Sequence, residues 1–287
     1  MIDPAFLDEL ARFDASLQRR VESRLQGQQQ STAVGEGLTF SDHRRYSPGD
    51  DTRRIDWRVY ARTEELYVKQ YEAERNLTVH VLVDASASMD YPDRDDPAHK
   101  FEYAAKLGLG FAVLAAADHN DFRVSLVGDT FERIDRDRST FGEVRRLLDT
   151  FNETTPSGEA DLARACEDYA STIDSKSLVF VASDCLDDPG AIEAGIRALS
   201  KNDVTLAQVL SPAERDPPVQ GDTIFSDPER ERERRTYFGN RVRRQYRDRL
   251  TGHRDAVEAA ADRTGTRYVG VDTGTDFFDA FAAAWVE

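Results

Sequence analysis

Residues 77–83 form an almost continuous run of apolar and β-branched side chains that ends at Asp84. Runs of this kind are buried on both faces, as they are in the parallel sheet of an α/β protein. Further apolar runs then alternate with patterns of helical spacing. Strands are expected at 122–127, 177–182, 204–210 and 267–271, and helices at 99–117, 140–151, 161–173, 189–199, 241–261 and 275–285. This alternation predicts an α/β fold with a doubly wound, mainly parallel, Rossmann-like sheet.

The chain before residue 77 follows a different pattern. Asp3 followed by Pro4 is typical of a helix start. Apolar residues then recur at helical spacing, at Phe6, Leu10, Phe13, Leu17 and Val21. We expect this helix to pack on the body of its own chain rather than on another protein. The predicted domains are 1–76, which holds the N-terminal helix and an Arg- and Asp-rich segment, and 77–287, the α/β domain.

A stretch at about 211–240 interrupts the alternation of strands and helices. It has three prolines before Val219 and alternating charges from Glu229 to Arg235. We interpret it as an insertion that contains a small β element, and its charge run as a solvated face.

The charge balance is strongly negative, with 54 acidic and 38 basic residues and a formal net charge of −16. Such a charge disfavours binding to nucleic acid or to an anionic membrane. Only five of the basic residues are lysines, namely Lys69, Lys100, Lys106, Lys176 and Lys201, and the other 33 are arginines. An acidic, lysine-poor surface suggests a halophilic protein, because salt screens repulsion between carboxylates. The alternative is compositional drift in a GC-rich genome.

The location is expected to be cytoplasmic. Two cysteines, Cys166 and Cys185, form no CxxC motif and suggest a reducing compartment. Acidic residues interrupt the N-terminus, so no signal peptide is expected. The longest nearly apolar run, 107–117, is too short to span a bilayer.

The turn after the first long strand carries three oxygen-bearing side chains, Asp84, Ser86 and Ser88. Asp184 follows a later strand. Ligands collect at the carboxyl edge of such a sheet, where these side chains are expected to meet. Carboxylate and hydroxyl oxygens suit Mg²⁺ or Mn²⁺. The alternative is a polar turn that only closes the strand.

This pattern resembles the metal-ion-dependent adhesion site of von Willebrand factor type A domains. The resemblance implies a divalent cation held by Asp84, Ser86 and Ser88, with Asp184 acting directly or through water. In that family the ion accepts a carboxylate from a protein partner.

One ligand of that family is missing from this sequence. The family usually has a threonine in a second loop, and Ala160 occupies the corresponding position. Asp161 or Thr155, or the neighbouring Thr154, could replace it.

A second resemblance covers residues 35–62, which include Phe40-Ser41-Asp42-His43-Arg44-Arg45-Tyr46-Ser47-Pro48-Gly49-Asp50-Asp51, and continues over 66–75. This segment is similar to the signature of domain-of-unknown-function family 58, in which the signature leads into a von Willebrand type A domain. The resemblance implies a MoxR-type AAA+ ATPase as partner, in the assembly or maturation of other proteins. It implies no enzymatic activity.

The signature segment alternates arginine with aspartate. Because the guanidinium group pairs bidentately with carboxylate, an internal lattice of ion pairs is the first interpretation. A surface for phosphate or for an acidic partner is the second. The candidate residues of that surface are Arg44, Arg45, Tyr46, Gly49, Asp50, Asp51, Arg53, Arg54, Asp56, Trp57 and Arg62.

Three functions follow from these patterns. The first is a non-catalytic protein–protein interaction module that binds its ATPase partner through the metal site, for a client protein that the sequence does not identify. The second is a Mg²⁺-dependent phosphoester hydrolase with signature arginines as the phosphate clamp. The third is a metal-free structural adaptor, which Ala160 would favour.

Overall fold

A computed structural model of the chain describes residues 1–13, 38–45, 56–63, 65–73, 77–230 and 232–286. The chain divides into two compact units. The larger unit comprises residues 1–18 and 77–287, and the smaller unit comprises 19–76. In chain order the elements are α1 (5–13), β1 (Leu38–Arg45), α2 (Trp57–Thr63), β2 (Tyr67–Ala73), β3 (Thr78–Asp84), α3 (Lys100–Ala117), β4 (Asp121–Val127), β5 (Phe131–Arg133), α4 (Phe141–Glu153), α5 (Leu162–Ala170), β6 (Leu178–Ser183), α6 (Pro189–Ala198), β7 (Asp203–Leu210), α7 (Pro212–Arg215), β8 (Gly221–Asp227), β9 (Arg232–Phe238), α8 (Asn240–Thr264), β10 (Arg267–Asp272) and α9 (Phe277–Val286).

The larger unit is built on a six-stranded sheet in the order β10-β7-β6-β3-β4-β5. Its neighbouring strands pair in parallel, except for β5, which runs antiparallel to β4. The expected strands are all present, and the short β5 was not expected. The predicted α/β fold with a mainly parallel sheet is therefore confirmed.

Helices cover both faces of this sheet. Val81 and Val83 of β3 belong to a core cluster shared with α3, α4 and α9, whereas Leu82 between them belongs to a second cluster shared with α5, α6 and α8. Successive side chains of a strand point to opposite faces, so a strand covered on both faces must be apolar throughout. The continuous apolar run that begins the sheet follows from this arrangement.

Helix α1 packs on the larger unit, as expected. Ile2, Phe6 and Leu10 are buried, and the ring of Phe6 lies 4.9 Å from that of Phe277 in α9, edge to face. The compact units therefore divide the chain differently from the predicted boundary at residue 76, because the apolar face of α1 is buried against the same core as the sheet.

Gly110 lets helices α3 and α9 approach closely. A Cβ atom at Gly110 would lie 2.5 Å from a ring carbon of Phe281. We expect Gly110→Ala to lower the free energy of unfolding by about 1–3 kcal/mol, because the buried Phe281 ring must shift. Urea denaturation monitored by circular dichroism measures this loss. The control is Gly142→Ala in α4, where the nearest atom would be 3.8 Å away; an equal loss there would contradict the explanation.

The insertion after β7 contains the predicted β element. Strands β8 and β9 form an antiparallel hairpin that is a sheet of its own. Phe238 at its end is buried, and its ring lies 6.5 Å from that of Tyr246 in α8. The short helix α7 precedes the hairpin and lies next to the carboxyl edge of the sheet.

The smaller unit contains an antiparallel pair, β1 and β2, with a register from Leu38 opposite Ala73 to Arg45 opposite Tyr67. Helix α2 begins beside Asp56, whose carboxylate accepts a hydrogen bond from the N–H of Val59 at 3.2 Å. The N–H of Asp56 donates to the carbonyl oxygen of Tyr67 at 2.8 Å. These bonds fix the start of α2 beside the start of β2.

Candidate functional site at the carboxyl edge of the sheet

The predicted turn after β3 brings its three side chains together. The carboxylate of Asp84 is buried, and its Oδ1 accepts a hydrogen bond from the N–H of Ser86 at 2.9 Å. The hydroxyl oxygens of Ser86 and Ser88 are 3.1 Å apart. The backbone thus folds back on the carboxylate and presents three oxygen groups from five consecutive residues.

Strand β6 supplies the neighbouring part of the edge. Val83 lies opposite Ala182 in the parallel register, so the end of β6 lies beside Asp84. The Ser183 hydroxyl donates to Asp84 Oδ2 at 2.6 Å. Asp184 follows and is buried at the same edge, as predicted.

A buried lysine occupies the other side of Asp184. Lys100, the first residue of α3, is completely buried. Its Nζ donates to Asp184 Oδ2 at 2.8 Å and to Glu214 Oε1 of α7 at 2.6 Å. Neither Lys100 nor Glu214 was predicted as part of the site, and Ser183 was also missed. The available signal was the presence of one of only five lysines at the start of the helix that follows the Asp84 turn.

Charge and burial set the ionisation of these groups. Burial, together with the nearby charge of Asp184, raises the pKa of Asp84 from 3.8 to about 6, although hydrogen bonds from Ser183 and Ser86 lower it. Burial by itself would lower the pKa of Lys100, but the charges of Asp184 and Glu214 outweigh burial and raise it. Asp84 is therefore a carboxylate with too little compensating positive charge, while Lys100 stays protonated.

The second loop lies beside the turn. The N–H of Ala87 donates to the carbonyl oxygen of Gly158 at 3.0 Å, and the N–H of Ser157 donates to that of Ala85 at 2.8 Å. Ala160, which holds the expected threonine position, follows in the same loop and has no oxygen in its side chain.

The proposed substitutes for that threonine have other environments. Asp161 caps α5, since its carboxylate accepts from the N–H of Arg164 at 3.0 Å. The Thr154 hydroxyl donates to the carbonyl oxygen of Thr150 at 2.8 Å. Thr155 is exposed to solvent. Within the described residues, none of these three side chains forms a hydrogen bond to the Asp84 turn.

The signature surface is described only in part. Arg44 and Arg45 lie on β1, Asp56 is buried, and Trp57 and Arg62 are exposed on α2. The rings of Trp57 and Tyr60 meet edge to face at 6.1 Å. The other predicted members lie outside the described residues: Tyr46, Gly49, Asp50, Asp51, Arg53 and Arg54.

The two cysteines are poor nucleophiles. Both are buried and unpaired. Burial raises the pKa of Cys166 to about 12 and that of Cys185 well above its usual 9. His253 Nε2 lies 2.6 Å from the carbonyl oxygen of Cys185, so this ring nitrogen contacts the backbone. Both thiols are protonated at neutral pH.

Two wider observations concern metals and membranes. Within 1–13, 38–45, 56–63, 65–73, 77–230 and 232–286, no group of three or more His, Cys, Asp or Glu side chains could hold a metal ion. Of the helices in the described part of the chain, none has both the length and the apolarity needed to cross a membrane.

Two solved bacterial structures are similar to part of this chain. An aerotolerance-related membrane protein from Bacteroides fragilis is 14% identical, with a TM-score of 0.44, and the match covers 72% of this chain and 96% of that one. The conserved hypothetical protein BatB from Bacteroides thetaiotaomicron is 12% identical, with a TM-score of 0.44 and coverages of 72% and 95%.

Sequence comparison identifies relatives of higher identity and a family. The uncharacterized protein Rv1480 of Mycobacterium tuberculosis is 27% identical over 233 residues, which are 79% of this chain and 72% of the relative. The uncharacterized protein Mb1516 of Mycobacterium bovis matches equally well. The sequence model of the family described as "Protein of unknown function DUF58" matches residues 42–256. The chain therefore belongs to the DUF58 family.

Proposed function

We propose that this chain is a non-catalytic protein–protein interaction module whose binding edge is the Asp84 turn. The observation that carries the proposal is the convergence of Asp84, Ser86 and Ser88 on one turn at the carboxyl edge of β3, around a carboxylate that lacks a compensating charge. Ligands of open α/β sheets bind at this edge. The larger unit is, in this proposal, a von Willebrand type A domain.

A divalent cation fits the residues of this edge. Asp84, Ser86 and Ser88 would hold it, and Asp184 would contact it through water. Asp84, Asp184 and Glu214 carry three negative charges when ionised, against one positive charge on Lys100, so Mg²⁺ or Mn²⁺ would bring the site to neutrality. Hydroxyl and carboxylate oxygens are the ligands that these ions prefer. When bound, the ion would offer an open position to a carboxylate oxygen of a partner.

The partner in this proposal is a MoxR-type AAA+ ATPase, and the process is assembly or maturation of another protein. The support is membership of DUF58 and the resemblance described above. A cytoplasmic location and adaptation to high salt stay predictions from composition.

The test uses the purified full chain and a MoxR-type ATPase from the same organism. Binding is measured by calorimetry in Mg²⁺ and in EDTA. We expect Asp84→Asn, which keeps the shape of the side chain, to weaken binding in Mg²⁺ by at least about tenfold, since it removes the charged ligand. The matched control is Asp129→Asn, an exposed aspartate after β4, which should bind like the wild type.

Two results would overturn parts of this proposal. Equal binding in EDTA, or by Asp84→Asn, would exclude a contact made through the metal and favour the metal-free adaptor. If the wild type did not bind the ATPase under either condition, the ATPase would be excluded as the partner.

A further inference from the structure

The geometry points to Lys100 as a positioning residue that withholds Asp184 from the cation site. The Lys100 ammonium holds the carboxylate of Asp184, so a cation at the Asp84 turn would have one carboxylate ligand instead of two. We expect this to keep divalent-ion affinity low. The inference rests on the proposed function, in that it concerns the same metal site.

The contacts of Asp184 support this role. Its Oδ2 accepts from Lys100 Nζ at 2.8 Å, and its Oδ1 lies 3.4 Å from the N–H of Leu186. Its backbone carbonyl accepts from Gln208 Nε2 at 2.9 Å. The carboxylate of Asp184 is therefore fixed on the Lys100 side of the edge. The buried Lys100 ammonium occupies the place beside this carboxylate to which a metal cation would otherwise be attracted.

Burial of the Lys100 ammonium would lower the stability of the fold if its acidic partners were absent. A fully buried ammonium requires compensation by opposite charge. In addition, Lys100 is at the N-terminus of the 18-residue helix α3, where the helix dipole disfavours a cation. Lysine also supplies a compact ammonium here, whereas an arginine would supply a planar guanidinium of different geometry.

Glu214 completes the arrangement from the other direction. Its Oε1 accepts from Lys100, while its Oε2 accepts from the N–H of Ser211 at 2.9 Å in the capping box of α7. The turn after β7 is thus built to present a second carboxylate to the ammonium. Lys100 is held from two directions, by Asp184 directly after β6 and by Glu214 of α7, and it stays beside Asp184.

The experiment is a double-mutant cycle on the full chain with Mn²⁺ as the probe. The variants are Lys100→Met, Asp184→Asn and their combination, and the readouts are the Kd for Mn²⁺ by calorimetry and the Tm with and without Mn²⁺. We expect Lys100→Met to bind Mn²⁺ at least about tenfold more tightly, because a positive charge is removed and a carboxylate is released. Mn²⁺ should raise its Tm by several degrees more than that of the wild type.

The cycle separates charge release from a general structural effect. Asp184→Asn should change the Kd by less than about threefold in the wild type, but by about tenfold or more in Lys100→Met, if the ammonium shields Asp184. A folded Lys100→Met with wild-type affinity would overturn the inference.

A further variant covers the case in which Lys100→Met does not fold with or without Mn²⁺. Glu214→Gln leaves the ammonium to Asp184 alone and should weaken Mn²⁺ binding by about threefold or more. Unchanged affinity would overturn the inference.

The outcomes also distinguish this inference from the proposed function. Mn²⁺ binding by Lys100→Met but not by the wild type would support the role of Lys100 and would contradict the metal in the proposed function. Partner binding that needs Asp84 and Mg²⁺, together with unchanged Mn²⁺ affinity in Lys100→Met, would support the proposed function and contradict the role of Lys100.

Discussion

Replacing Asp84 with asparagine is expected to stabilise the chain by about 3 kcal/mol at neutral pH in EDTA, which is what a pKa raised from 3.8 to about 6 corresponds to. The asparagine Oδ1 can accept the Ser86 N–H, and its amide can donate to the Ser183 oxygen. A gain in stability on this substitution would support the proposed role of Asp84, because the folded state would then carry a charge that lowers its stability.

The pH dependence follows from the same pKa. The folded state binds the Asp84 proton more tightly than the unfolded state does. Protonation of Asp84 therefore stabilises the fold fully below pH 3.8, and this stabilisation is lost as the pH rises to about 6. The difference in unfolding free energy between wild type and Asp84→Asn should therefore widen between about pH 4 and pH 6 and stay constant above. Urea denaturation across this range measures it, and a difference that does not change with pH would contradict the burial of an uncompensated charge.

The neighbouring carboxylate supplies the control. Asp184→Asn makes the same chemical change at the same edge, but it removes a partner of Lys100. We expect it to destabilise the chain, because the buried ammonium keeps only Glu214. Opposite signs for the two asparagine variants would establish that the lysine serves Asp184 and not Asp84.

The largest loss of stability is expected from Phe180→Ala. The Phe180 ring stacks on Phe111 of α3 at 4.1 Å, and both side chains are almost completely buried. Removal of the ring leaves a cavity between the sheet and α3 and should cost about 3–5 kcal/mol. Urea denaturation gives the value, with Phe141→Ala as the control, since Phe141 is 53% exposed. A loss at Phe180 no larger than that at Phe141 would refute the packing of this pair.

The strands and the Asp84 turn were predictable because their signals are local. An apolar β-branched run followed by Asp84, Ser86 and Ser88 specifies both a buried strand and a polar turn at its end. Asp184 was predictable from the same logic on β6. In each case the residues that decide the structure are adjacent in sequence.

The groups around that turn were not predictable for the opposite reason. Lys100 is the first residue of α3, with the charged Glu102 two residues on, and in the sequence it looks like a surface residue. Its burial depends on Asp184, which is 84 residues away, and on Glu214, which is 114 residues away. The packing of α1 on the body of its own chain was expected, but its aromatic partner Phe277 is far away in sequence and could not be identified from the local pattern.

That last contact has a consequence for synthesis on the ribosome. Residues 2–10 are synthesised long before Phe277 and Phe281, which belong to the core that buries them. The apolar face of α1 therefore stays without its final partner throughout elongation, a state in which exposed apolar surface invites aggregation or chaperone capture. Closure of the larger unit is a late event that joins the first and last helices of the described chain, after the intervening sheet has been made.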